Sequence, residues 1–140
     1  MTSTPEDPAE TRDERFARGL KIVASLHGER GQKNLESLAE ASPELSHQIT
    51  AWAYGDIYGR PGLSLRDRQL LTVGMLTALG GCESLLTVHI NAALNIGLKP
   101  EEILEALLHS AVYCGMPKAM NATFVAKDVF TDRGILPMEQ

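Results

Sequence analysis

The sequence is poor in the features that most often announce a function. It has two cysteines, Cys82 and Cys114, in 140 residues. They form neither a disulfide framework nor a metal-ligand spacing, so a reducing, cytoplasmic setting is expected. No apolar run reaches the roughly 18 residues of a membrane span. The N-terminal stretch has Pro5, Pro8 and acidic residues but no apolar segment, so no signal peptide is expected. Positive charge is scarce: 13 Lys and Arg against 18 Asp and Glu give a net charge of -5. That argues against nucleic acid or an anionic membrane as partner. No segment alternates like a strand between hairpin turns. No internal repeat is found beyond similar helix-turn-helix units.

What is present is helical. Apolar residues make up 44% of the chain, ordinary for one globular domain. Residues 1–10 read as a disordered tail, 11–133 as a helical domain and 134–140 as a second tail. The first helix is expected over 11–26, with Phe16, Leu20, Val23 and Leu26 as its stripe and Gly28 and Gly31 ending it. A short helix follows over 32–41. Ser42 and Pro43 open a third, with Leu45, Ile49, Trp52 and Ala53 at helical spacing up to Tyr58. The chain is organised around the next pair. Arg60-Pro61-Gly62 turns, Ser64 caps with Asp67 three residues on, and 65–79 is a helix stopped by Gly80-Gly81. From Leu70 to Leu79 only Thr72 and Thr77 interrupt the apolar residues, so burial on most sides is expected, in a core or at a subunit contact. A second helix starts near Cys82 and ends at Gly97. Pro100-Glu101-Glu102 opens another, to Tyr113, and a last one spans 118–130.

The candidates for chemistry cluster around this pair. His89 lies on an apolar stripe with Leu85, Leu86, Ala92, Ala93 and Ile96. A half-buried imidazole can act as acid or base near neutrality, or simply be a satisfied core histidine. Cys82 sits at a helix start, where a thiol becomes more acidic, or fills space after two glycines. Arg60, Arg66 and Arg68 flank the turn and can bind carboxylates or make structural ion pairs. Trp52, Tyr54 and Tyr58 precede it and can wall a pocket or pack a core. Glu105, His109 and Tyr113 form an i,i+4 ladder, and Cys114 is expected to pack.

Taken together, the segments from Gly55 to Gly81 and from His89 to Phe130 resemble the carboxymuconolactone decarboxylase family. The resemblance is carried by Arg60-Pro61-Gly62-Leu63, Arg66 with Arg68, Ala78-Leu79-Gly80, His89, Ala92-Ala93, Gly97, Glu101-Glu102-Ile103, Glu105, Tyr113, Gly115 and Pro117. It implies an all-α bundle of six to seven helices around a central antiparallel hairpin, related to the alkyl hydroperoxide reductase D proteins. It implies a homo-oligomer, often a hexamer built as a trimer of dimers. It also implies a cofactor-free, metal-free decarboxylase acting on a small carboxylated lactone in aromatic catabolism. In that reading His89 donates a proton, Arg60 or Arg68 binds anionic groups, and Trp52, Tyr58 and Tyr113 contribute to substrate binding. The reductase branch uses Cys-x-x-Cys-x-x-x-His. Here the register is Cys82 to His89, and Leu85 replaces the second cysteine. No disulfide can form there, which disfavours the peroxidase reading. The decarboxylase branch often has Glu where this chain has Leu85 and Gln69. Two alternatives stay open from the residues: a thiol-dependent redox protein using Cys82 with His89 as base, and a non-catalytic oligomeric small-molecule-binding protein.

Overall fold

The structure is a computed structural model that describes residues 9–136. Of the expected tails, 1–10 and 134–140, residues 1–8 and 137–140 lie outside the described residues. Among the described residues there are helices and turns but no strand. The elements are α1 (Arg12–Ala41), α2 (Pro43–Gln48), a π-helix (Ile49–Tyr58), α3 (Leu65–Leu79), α4 (Glu83–Asn95), α5 (Pro100–Cys114) and α6 (Met116–Asp132). The all-α expectation is met. The chain divides into two compact units, 1–60 and 61–140.

The first unit begins with a capping box. Thr11 Oγ1 accepts from the Glu14 amide and the Glu14 carboxylate accepts from the Thr11 amide, at 3.2 and 2.7 Å. Helix α1 is longer than the sequence suggests. Gly28, at φ 60° and ψ −153°, breaks it, yet the helix resumes at once to Ala41. A φ of that sign is easy only for glycine, so the break stays local and needs no loop. The third expected helix is really two elements. Six α residues, capped by Ser42 at Leu45, give way to ten in π geometry.

The buried side of this segment also differs from the expected stripe. Ser46, Thr50, Ala51, Tyr54 and Gly55 are buried, while Leu45 and Trp52 are half exposed. Close approach explains the choice. A Cβ on Gly19 would stand 1.8 Å from the Thr50 carbonyl oxygen. Backbones this close admit only small side chains between them, so size outweighs hydrophobicity at the crossing. Arg15 and Arg18 then pin the π-helix through Asp56, and Arg18 also donates to the Gly55 carbonyl and pairs with Glu10.

The second unit is built on the α3–α4 hairpin. Gln69 meets His89 and Leu76 meets Cys82, so the helices run antiparallel. Ser64 caps α3 through the Asp67 amide at 3.0 Å, as its sequence suggests. The core joins Val73 of α3, Leu86, Ile90 and Ala93 of α4, Ile103 and Leu107 of α5, and Ala122, Ala126, Val129 and Phe130 of α6. Ile135 and Leu136 pack against it, and the Ile135 amide donates to the Phe130 carbonyl at 2.8 Å. The apolar α3 helix does not find its burial within the chain. Only Gln69, Val73 and Thr77 are buried on it, and Leu71, Met75 and Leu79 face outward.

Candidate functional site

Helix α3 places Arg68 and Gln69 in its second turn, and α4 places His89 opposite Gln69. Gln69 is fully buried. Its Nε2 donates to the His89 carbonyl oxygen at 3.0 Å and lies 2.8 Å from His89 Nδ1. Its Oε1 is buried with no hydrogen-bond partner. Leaving a buried acceptor unsatisfied costs about 1–3 kcal/mol, so the arrangement is one that the fold tolerates against a penalty. His89 itself is half-buried rather than sealed in the core. Leu85, one turn before it, is more than half exposed, and Leu86 and Ile90 carry the packing instead.

The other sites expected on this unit go to different places. Cys82 precedes α4, and its thiol donates to the Leu76 carbonyl at 3.3 Å. It lines a cavity of about 20 Å³ with Leu76, Thr77, Glu83, Lys118 and others, room for about one water molecule. Lys118 Nζ donates to the Ala78 carbonyl at 2.7 Å, so thiol and ammonium both serve the carbonyl end of α3. That contact gives the thiol a structural role at the helix end. Tyr113 is 83% exposed. With His109, whose ring lies 5.5 Å from its own, it lines an open groove of about 570 Å³ between α3 and α5. His89 does not line that groove. Arg66 is taken up by Glu102, whose carboxylate also accepts from the Lys99 amide at 2.8 Å. That backbone bond first, then Arg66, holds the Glu102 carboxyl below its ordinary range.

On the first unit, the π-helix carries Trp52, Tyr54 and Tyr58, and Arg60 follows it. Trp52 is 55% exposed. Tyr58 is half-buried with its ring 5.0 Å from that of Tyr54. Tyr54 is buried, and its hydroxyl lies 2.8 Å from His27 Nε2. Burial pushes the Tyr54 hydroxyl well above its ordinary range and His27 below its own. Both groups are therefore neutral at neutral pH. Sequence reading missed His27. It falls at the expected helix end, and its partner lies 27 residues away. No signal in the sequence marks the pair, because the π-helix that carries Tyr54 shows only in the structure.

The sequence profile of the carboxymuconolactone decarboxylase family matches residues 43–128. The chain belongs to this family. Among its relatives, 4-carboxymuconolactone decarboxylase of Acinetobacter baylyi is 34% identical over 126 residues, covering 89% of this chain and 93% of that protein. Nitrosuccinic acid decarboxylase npaB of Metarhizium robertsii is 35% identical over 121 residues, covering 84% and 82%. An uncharacterized 15.0 kDa protein of Paracoccus denitrificans is 25% identical over 100 residues, covering 71% and 75%. The matched region takes in α3, α4 and α5 whole, and with them Gln69 and His89.

Proposed function

We propose that this family member is a decarboxylase of a small polycarboxylic acid, of the 4-carboxymuconolactone decarboxylase type. The observation that carries the reading is that two relatives named as decarboxylases align along more than four-fifths of the chain. Their named substrates look unlike but share one chemistry. Each is an acid with more than one carboxyl group and a strong electron sink, an unsaturated lactone in one and a nitro group in the other. Loss of CO₂ from the carbon next to the sink leaves charge spread onto oxygen. The enzyme must hold the remaining carboxylate, stabilise that charge, and allow carbon to be protonated.

In this reading His89 meets the charge and Arg68 binds a carboxylate, and the first unit carries Arg60 and Tyr58 as further candidates. Guanidinium groups suit this task because they pair bidentately with carboxylates. Trp52 and Tyr113 are each exposed in the single chain and so open to cover by another copy. Such assembly belongs to the same proposal. Leu71, Met75, Leu79, Leu108, Val112, Met116, Met120 and Phe124 all stand exposed on α3, α5 and α6. An apolar face of this extent on one chain fits a homo-oligomer, a hexamer being the form expected of the family. Aromatic-acid catabolism in the cytoplasm is the matching setting. Among the described residues no helix is long and apolar enough to cross a membrane.

The test is CO₂ release from 4-carboxymuconolactone and from nitrosuccinic acid by the purified chain. Turnover of at least one, retained in Cys82→Ser, is expected. No release from either substrate contradicts the reading, and release that vanishes in Cys82→Ser makes the thiol part of the chemistry.

A further inference from the structure

The contact between Gln69 and His89 decides more than where the ring sits. The His89 carbonyl oxygen has only lone pairs to offer, so the Gln69 atom 3.0 Å from it is the donating amide nitrogen. The same nitrogen faces Nδ1 at 2.8 Å. A ring nitrogen accepts from N–H only when it carries no proton itself. With the amide in that orientation the ring proton falls on Nε2. Turning the amide over would bring Oε1 to Nδ1 and match a protonated ring. It would also press Oε1 against the His89 carbonyl oxygen. The arrangement found keeps both bonds and leaves Oε1 buried without a donor.

We infer that Gln69 is a positioning residue that holds His89 as a neutral imidazole protonated on Nε2, so that His89 acts as a hydrogen-bond donor to the oxygen-centred anion left by loss of CO₂. The role toward the anion rests on the decarboxylase reading above; the hold on the ring does not. In that step the bond to the departing carboxylate breaks. Its electron pair passes into the adjoining sink, and Nε2–H bonds to the oxygen where charge collects. No proton changes owner. A neutral imidazole serves well here because it is aimed beforehand and need not reorganise. Surrendering Nε2–H would leave an imidazolate, so the proton that later reaches carbon comes from solvent water.

Side-chain ¹⁵N resonances read the tautomer directly. The chain has four histidines, and the signal missing from His89→Gln identifies the one in question. At neutral pH the parent ring should show a proton on Nε2 and none on Nδ1. In Gln69→Glu both nitrogens should carry protons, and in Gln69→Leu the preference for one tautomer should be lost. A parent ring protonated on Nδ1, or on both nitrogens, overturns the proposal whether or not the variants fold. In kinetics, Gln69→Leu should lower kcat by about tenfold or more with KM little changed, as expected when a donor to the developing charge is misaimed. An unchanged kcat overturns the role of Gln69. A parent that releases no CO₂ but shows the expected tautomer removes the decarboxylase reading and the role toward the anion, and leaves the hold of Gln69 on the ring in place.

Discussion

At the scale of single residues, partners matter more than residue types. His89 draws notice in the sequence as a histidine on an apolar stripe, and the structure sets its Nδ1 2.8 Å from Gln69 Nε2. Cys82 draws the same notice and turns out to serve a helix end. Nothing local in the sequence separates these two outcomes, because the deciding atoms, Gln69 Nε2 and the Leu76 carbonyl, sit on another helix. Gln69 itself is visible only as a place where relatives often carry Glu. Phe130 is the clearest packing residue, 1% exposed at the meeting of α4, α5 and α6. Phe130→Ala should therefore cost about 3–5 kcal/mol in chemical denaturation. A loss below about 1 kcal/mol, the usual mark of a site near the surface, would contradict its place in the core.

At the scale of elements, helices with capping signals were legible and irregular ones were not. Ser64, Asp67 and Gly80 delimit α3 because cap chemistry is local and short-range. The π-helix has no such signature, since widening a turn by one residue requires no particular composition. The crossing of α1 and the π-helix was invisible for another reason. Its interface is Gly19, Thr50, Ala51 and Gly55, and hydrophobic spacing cannot reveal contacts made by small residues. Gly19→Ala places a Cβ on the Thr50 carbonyl and should destabilise the chain by several kcal/mol, measured by thermal unfolding.

The same unit has a pH signature. Hydrogen bonds from Arg15 and then Arg18 hold the Asp56 carboxyl below its ordinary range. A carboxyl lowered by folding adds stability above its unfolded pKa and loses it as pH falls through the folded value. Burial lowers His27 as well, so protonation of that ring opposes folding in the same direction. Stability of the first unit should thus fall on acidification in two stages, from below the ordinary histidine range through His27 and from below the ordinary carboxylate range through Asp56. Asp56→Asn should cost on the order of 1 kcal/mol at neutral pH and almost nothing in strong acid. A constant difference across the titration would contradict the ion-pair account.

At the scale of the whole molecule, two properties belong to the account: assembly and turnover. Apolar residues from Leu71 to Phe124 stand exposed on α3, α5 and α6, as the proposed assembly requires. Light scattering should report a species larger than a dimer, and Leu79→Glu with Met75→Glu should shift it toward monomer. A parent that is monomeric at micromolar concentration would contradict this. The fold was legible in the sequence because family motifs and helix periodicity cover most of the chain. The reaction was legible only as a class, because one family accommodates both a lactone and a nitro acid. The most direct measurement is the rate of CO₂ release by the parent and by His89→Ala, with circular dichroism and light scattering to show that the variant folds and assembles. Turnover should drop by about two to four orders of magnitude, the range for a residue that acts on the reacting charge. A folded, assembled His89→Ala variant that releases CO₂ at the parent rate would contradict the account.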